Sequence, residues 1–157
     1  MNKIFLCSLI LLTTFKVTES IADDEVSFGV GSSALYNGYG ANIAYLRDAD
    51  LMYISLGCHS LLSVSGSGTS SNCGIGTGWI MSDVLSESKK HGIGVHINVN
   101  HNTFNNLNEN VYNIGIPYLY DAEGISSGGW HVGFTPAIAI YSSGTKAELW
   151  FNWGYQF

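Results

Sequence analysis

The stretch KAELWFNWGYQF, residues 146–157, decides the fold, because polar and apolar side chains alternate through it without a break. The polar and small residues stand at the even positions, with Trp150 as the one large apolar exception. This period of two predicts a β-strand with one face in apolar surroundings and the other in a filled, more polar interior. The apolar face is made of Ala147, Leu149, Phe151, Trp153, Tyr155 and Phe157.

The same alternation recurs through the rest of the chain, and turn-forming Gly, Asn, Asp and Ser residues separate the alternating segments. No stretch after residue 22 has helical periodicity or a long apolar run. Together with the last stretch, the segments predict an all-β fold, an eight-stranded antiparallel up-and-down transmembrane β-barrel. The other seven segments are 26–34, 40–45, 52–57, 74–81, 92–100, 112–120 and 130–141.

Composition favours a barrel in lipid over a water-soluble barrel of the lipocalin type. Charged residues make up 11% of the chain, against ~25% in an ordinary soluble domain. The polar faces of the segments carry Gly, Ser, Ala, Asn and Thr, with almost no Lys or Glu. Small uncharged residues suit the narrow interior of a closed barrel better than a water-facing exterior.

The first 22 residues have the features of a secretory signal peptide. Lys3 gives a basic start, residues 4–15 are mostly apolar, and Ser20 and Ala22 supply the small residues that a signal peptidase requires. The apolar stretch is too short to cross a bilayer as a helix. We therefore expect residues 1–22 to be removed and residues 23–157 to form the barrel.

The exported part of the chain is acidic and contains two cysteines. Four basic and eleven acidic residues remain after residue 22, a formal charge of −7, which disfavours nucleic acid as a partner. In an oxidising compartment, Cys58 and Cys73 are expected to form a disulfide bond.

The closing LWFNWGYQF, residues 149–157, resembles the C-terminal strand of bacterial outer-membrane proteins, in which the last residue is usually Phe. The resemblance implies a small eight-stranded barrel in the outer membrane of a Gram-negative bacterium. Its partners would be outer-membrane lipid, lipopolysaccharide and the barrel assembly machinery. The assembly machinery would read the apolar positions of this strand: Leu149, Phe151, Trp153, Tyr155 and Phe157.

An even number of strands would place both termini in the periplasm. Asn37-Gly38 is then expected to form a tight hairpin turn on the external side. Charged residues cluster on the periplasmic side of this arrangement, and the external side carries only Glu109, Lys146 and Glu148.

No catalytic, cofactor-binding or metal-binding set emerges from the sequence. His91 and His101 fall on the opposite face of their strand from His96, which excludes a simple metal site on that strand. The many inward glycines are attributed to tight curvature of the wall. The polar residues expected inside the barrel are His96, Asn98, His131, Glu148 and Asn152.

We therefore expect an integral outer-membrane protein with a structural or surface-interaction role and no cofactor. Two alternatives stay open. Lipid A deacylases of similar length use a His-x-Ser pair, which neither His131-Val132-Gly133 nor His59-Ser60 reproduces. A narrow conduit or ligand-binding barrel is the other alternative, although eight strands leave an interior that side chains can fill.

Overall fold

The structure, a computed structural model, describes residues 24–47, 49–64, 68–104 and 107–157. The expected signal peptide, residues 1–22, lies outside the described residues. The fold is all-β, with one short 3-10 turn, Ala34–Tyr36, and no described helix long or apolar enough to cross a membrane. The strands are β1 Asp24–Ser33, β2 Gly38–Arg47, β3 Asp50–Val64, β4 Gly68–Met81, β5 His91–Phe104, β6 Leu107–Gly115, β7 Tyr118–Asp121, β8 Gly129–Tyr141 and β9 Gly144–Gln156.

These strands form one antiparallel sheet that closes on itself. Each strand from β1 to β5 pairs with the next, and β6 and β7 both lie between β5 and β8. β9 pairs with β8 on one side and with β1 on the other. The ring therefore passes through eight strand positions, and the predicted all-β antiparallel architecture is confirmed.

The break between β6 and β7 falls at Ile116-Pro117. The sequence predicted one continuous strand here, but proline has no N–H to donate to a ladder. Local hydrogen bonds hold the break in place, because Gly94 N donates to Pro117 O at 3.0 Å and Ile116 N donates to Pro136 O at 3.0 Å. The alternation of exposed and buried side chains continues through the break.

The ring has two ends, which we name by the chain segments they carry. The terminal end carries the start of β1 at Asp24 and the end of β9 at Gln156, together with the β2–β3, β4–β5 and β7–β8 connections. The far end carries the β1–β2, β3–β4, β5–β6 and β8–β9 connections.

Side chains alternate between the two faces of the sheet, and the residues that the sequence placed on the outer face are mostly apolar and exposed. Ala34 is the exception: the sequence placed it on the outer face, but it is buried. The reason is that the chain leaves β1 at Ser33, which has a positive φ of 90°, and turns inward.

The interior near the terminal end is apolar. Leu46, Leu51, Ile80 and Leu119 point inward from four strands and are buried together with Ile125 of the β7–β8 connection. The N–H of Ile125 donates to Lys89 O at 3.0 Å, which ties this connection to the β4–β5 connection. The connection thus places an apolar side chain across the terminal end of the ring.

Candidate functional site

The connection between β1 and β2 folds into the ring instead of projecting from it. Residues 33–37, which we call the plug, are all buried, and Ala34, Tyr36 and Asn37 have no exposed surface. The prediction that Asn37-Gly38 forms a tight turn outside the ring is therefore wrong, because Asn37 lies inside it. Asn37 does turn the chain, with a left-handed φ of 53°, but Leu35 and Tyr36 bury apolar surface by folding inward.

Tyr36 is the largest fully buried side chain of the described residues. Its hydroxyl is hydrogen-bonded to His131 Nε2 at 2.8 Å, and the two rings stack with their centroids 5.6 Å apart. The Tyr36 ring lies against Gly31 and Gly154, where any Cβ would overlap it. These two glycines make room for the plug, a role beyond the wall curvature that the sequence suggested.

Asn37 connects the plug to an amide network on the opposite wall. Its Nδ2 donates to Asn100 Oδ1 at 2.9 Å, and its Oδ1 accepts from Asn98 Nδ2 at 2.7 Å. Asn98 Oδ1 in turn accepts from Asn113 Nδ2 at 2.6 Å. His96 lies beside Asn98, its Nε2 at 3.2 Å from Asn98 Nδ2. The network links the plug to β5 and β6.

The other nitrogen of His96, Nδ1, is hydrogen-bonded to the Tyr53 hydroxyl at 2.8 Å. His96 and Tyr53 thus repeat the tyrosine–histidine pairing of Tyr36 with His131, in both cases with both rings buried. Buried polar groups are costly unless they are paired. In each pair the tyrosine hydroxyl is hydrogen-bonded to a histidine nitrogen, so these polar atoms have partners although both rings are buried.

Asn152 fixes the beginning of the plug from β9. Its Oδ1 accepts from Ala34 N at 3.2 Å, and its Nδ2 donates to Thr135 Oγ1 at 2.9 Å. On the other side, Asn42 Nδ2 donates to Leu35 O at 3.1 Å. Backbone groups of the plug are therefore satisfied by side chains of the surrounding wall.

Nearer the far end, Glu148 joins two aromatic residues. Its Oε2 accepts from Trp150 Nε1 at 2.8 Å, and its Oε1 accepts from the Tyr141 hydroxyl at 3.1 Å. The Trp150 ring lies with its centroid 5.0 Å from the centroid of His59, a residue at the irregularity in the β3–β4 register. Trp150 extends the filled interior toward the far end.

The structure thus places His96, Asn98, His131, Glu148 and Asn152 on the inward face, and the plug brings His131, Asn98 and Asn152 into one connected interior. Sequence reasoning missed Tyr36, Asn37 and Asn113 as members of this interior, because the plug was read as an exposed turn. The one available signal was the apolar Leu35-Tyr36 pair directly before the turn.

Among the described residues, no group of three His, Cys, Asp or Glu side chains could hold a metal ion. The residues expected to form the assembly signal are on the outer face: Leu149, Phe151, Trp153 and Phe157 are exposed and Tyr155 is half-buried. Comparison of the chain with family models, with curated proteins and with solved structures finds no match. Its function is therefore inferred from its own surface and interior.

The predicted disulfide between Cys58 and Cys73 is confirmed. The two residues are register partners on β3 and β4. Cys58 is also the last residue of β3 that pairs with β2, opposite Tyr39. The bond therefore joins β3 to β4 at the level where β3 loses its other neighbour.

Reduction of this disulfide is expected to lower the free energy of unfolding by about 3 kcal/mol, the loop-closure term for cysteines that are 15 residues apart. The loss should appear as faster amide hydrogen exchange in residues 60–72, with the rest of the ring little changed. The double variant Cys58→Ser/Cys73→Ser is the control and should not respond to reductant. Uniformly faster exchange along the whole chain would contradict this local role.

Proposed function

We propose that this chain is an integral protein of the bacterial outer membrane, crosses the bilayer as an eight-stranded β-barrel, and has a structural or surface-interaction role. One observation carries the proposal: large apolar side chains are exposed on the outer face at every strand position of the ring. Such a continuous apolar exterior suits lipid and would be costly in water. Examples are Phe28, Ile43, Ile54, Ile75, Ile97, Ile114, Ile138 and Phe151.

The two ends of the ring support the same proposal. Tyr45, Trp79, Tyr120 and Trp130 are exposed near the terminal end, as in the aromatic belts at membrane interfaces. The charged residues of the described chain also gather at this end. Together with the predicted signal peptide and the resemblance of the last strand to an outer-membrane assembly signal, these features support a terminal end in the periplasm and a far end outside the cell.

The interior favours a structural or surface role over transport. The plug and its amide network occupy the ring at mid-height, and Ile125 lies across the terminal end. A conduit would need an open path past these side chains. The lipid A-modifying alternative gains no support either, because His131 is 4% exposed and its Nε2 is bound to the Tyr36 hydroxyl.

Heat-modifiable electrophoretic mobility tests the proposal directly. The chain without residues 1–22, refolded into lipid vesicles, is expected to migrate faster unboiled than boiled, and to stay with the vesicles after a carbonate wash. A chain that stays in solution without lipid or detergent and whose mobility does not change on boiling would refute it. Planar bilayers containing the refolded chain should show no steady conductance, and lipid A from cells making it should keep its mass.

A further inference from the structure

At the far end, six strands continue beyond the level at which β1 and β2 meet the plug. β1 ends at Ser33 and β2 begins at Gly38. The six strands are paired as β3–β4, β5–β6 and β8–β9, and these pairs reach Val64, Phe104 and Tyr141. Because β4 also pairs with β5 and β6 with β8, the six strands stand side by side as one curved wall. This wall encloses a recess above the plug, which we call the cup.

The indole of Trp150 forms the floor of the cup. Its ring centroid lies 5.0 Å from that of His59 on β3 and 6.0 Å from that of His96 on β5, so the side chain reaches from β9 across the ring. Trp150 is half-buried, whereas His96 has no exposed surface. The exposed part of the indole therefore faces away from His96, toward the far end.

Glu148 places a carboxylate beside this indole surface. Its two oxygens accept from Trp150 Nε1 and from the Tyr141 hydroxyl, which fixes the position of the carboxylate. Each carboxylate oxygen has two lone pairs, so both can accept a further hydrogen bond from a ligand. Lys146 lies over the Tyr141 ring, with Nζ 5.1 Å from the ring centroid. The two opposite charges leave this side of the cup without net charge, which favours a neutral ligand.

The opposite side of the cup carries amide side chains. Asn72 on β4 and Asn102 on β5 are register partners, and both are half-buried. Three buried polar atoms on this side have no hydrogen-bond partner within the described part of the chain: His59 Nε2, Asn72 Oδ1 and Asn100 Nδ2. Asn100 is 1% exposed, and buried polar atoms are normally paired. Unpartnered donors and acceptors on three adjacent strands favour a ligand with several hydroxyl groups.

We propose that the cup binds a neutral pyranose sugar, with one face of the sugar ring on the Trp150 indole and its hydroxyl groups on Glu148, Asn72 and Asn102. The C–H groups on one face of a pyranose pack against an aromatic ring, and its hydroxyl groups both donate and accept. The mouth of a β-barrel is a preferred place for a small ligand, and an eight-stranded barrel has room for one.

This inference rests on the proposed function, since the outer-membrane location puts the cup outside the cell. It names the ligand of the surface-interaction role. The same chemistry is offered by a free saccharide and by the sugar chain of lipopolysaccharide. Both sources present pyranose rings with hydroxyl groups around their edge, so the test has one arm for each.

The first arm uses the full barrel chain, with its disulfide intact, in nanodiscs made of phospholipid alone. The probes are the methyl glycosides of glucose, galactose, mannose and N-acetylglucosamine, added one at a time. The NMR signal of the Trp150 indole N–H, assigned with Trp150→Phe, is expected to shift saturably with at least one of them, with a Kd of about 1 mM. Trp79, Trp130 and Trp153 are exposed on the outer face, and their indole signals should stay in place.

The second arm uses nanodiscs that contain lipopolysaccharide and no added glycoside. A shift of the Trp150 signal in this arm would assign the sugar to lipopolysaccharide, and a shift in the first arm alone would assign it to a free saccharide. No saturable shift in either arm would overturn the proposal. An equal shift with choline chloride would overturn it too, because the cup would then bind an organic cation on its aromatic rings.

Two asparagine variants give a matched control. Asn102→Ala removes an amide from the cup and is expected to weaken sugar binding about tenfold, as the loss of one hydrogen bond does. Asn108→Ala removes the same group from β6, where Asn108 is exposed on the same face as Tyr112, and should leave binding unchanged. Equal affinities of the two variants would count against the cup as the binding site.

The outcome is separable from that of the proposed function. A chain that stays in solution and does not enter nanodiscs would refute the outer-membrane location. The glycoside titration, made on that chain in solution, would still decide whether the cup binds a sugar.

Discussion

Replacement of Tyr36 by alanine is expected to lower the free energy of unfolding by about 4 kcal/mol, the usual cost of truncating a fully buried aromatic side chain. The Tyr36 side chain has no exposed surface, and its phenol ring fills the space between Gly31 and Gly154. Its removal also leaves the His131 ring without its partner, 2.8 Å from the lost hydroxyl. Urea titration of the protein in lipid vesicles, followed by tryptophan fluorescence, measures the change.

Tyr36→Phe is the matched control for this substitution. It keeps the packing and removes only the hydroxyl, so the expected loss is about 1–2 kcal/mol. A loss as large as that of Tyr36→Ala would mean that the hydrogen bond, and not the filled volume, holds the plug. If neither variant changed the unfolding free energy, Tyr36 would not be buried as described.

The second large effect is expected from arginine at Ile97, in the middle of β5 on the outer face. Ile97 is 54% exposed and has Thr77 and Ile114 as register partners. If this surface faces the hydrocarbon core, Ile97→Arg should cost about 2–4 kcal/mol. On a water-facing surface the same change at a half-exposed position should be close to neutral.

Val26→Arg gives the depth control for this prediction. Val26 is 56% exposed on the same face but lies near the start of β1 at the terminal end, where arginine in a bilayer is expected to cost about 0–1 kcal/mol. Urea titrations in vesicles compare the two variants. Similar small losses at both positions would contradict the membrane location, because no gradient with depth would exist.

The alternating wall of the ring could be predicted from the sequence because its determinants are local. Successive side chains of a strand point to opposite faces, so Phe151 and Asn152 lie on different sides of the sheet. The outward face is apolar and the inward face is polar or small, and each residue type shows in the sequence which face it occupies. The Cys58–Cys73 bond was predictable for a similar reason, since only two cysteines follow residue 22 and two cysteines have one possible pairing.

The interior could not be predicted in the same way, because its contacts join residues distant in sequence. Asn37 reads locally as a turn residue before Gly38, which it is. Whether that turn stands in solvent or folds inward depends on whether Asn98, Asn100 and His131 leave space and offer partners. That information lies in three-dimensional packing, and no spacing within residues 33–38 contains it.

The plug also bears on how the ring closes. The seam between β1 and β9 is short: its register runs only from Gly29–Gln156 to Ser32–Trp153, whereas β8 and β9 pair over their full length. Inside this seam, Asn152 of β9 accepts from Ala34 N, and Gln156 Nε2 donates to Asn42 Oδ1 at 3.2 Å.

Those contacts bridge the two sides of the seam from within. The inward turn therefore reinforces the ring at the strand position with the shortest ladder. Without the plug, the seam between β1 and β9 is where the ring is expected to open first.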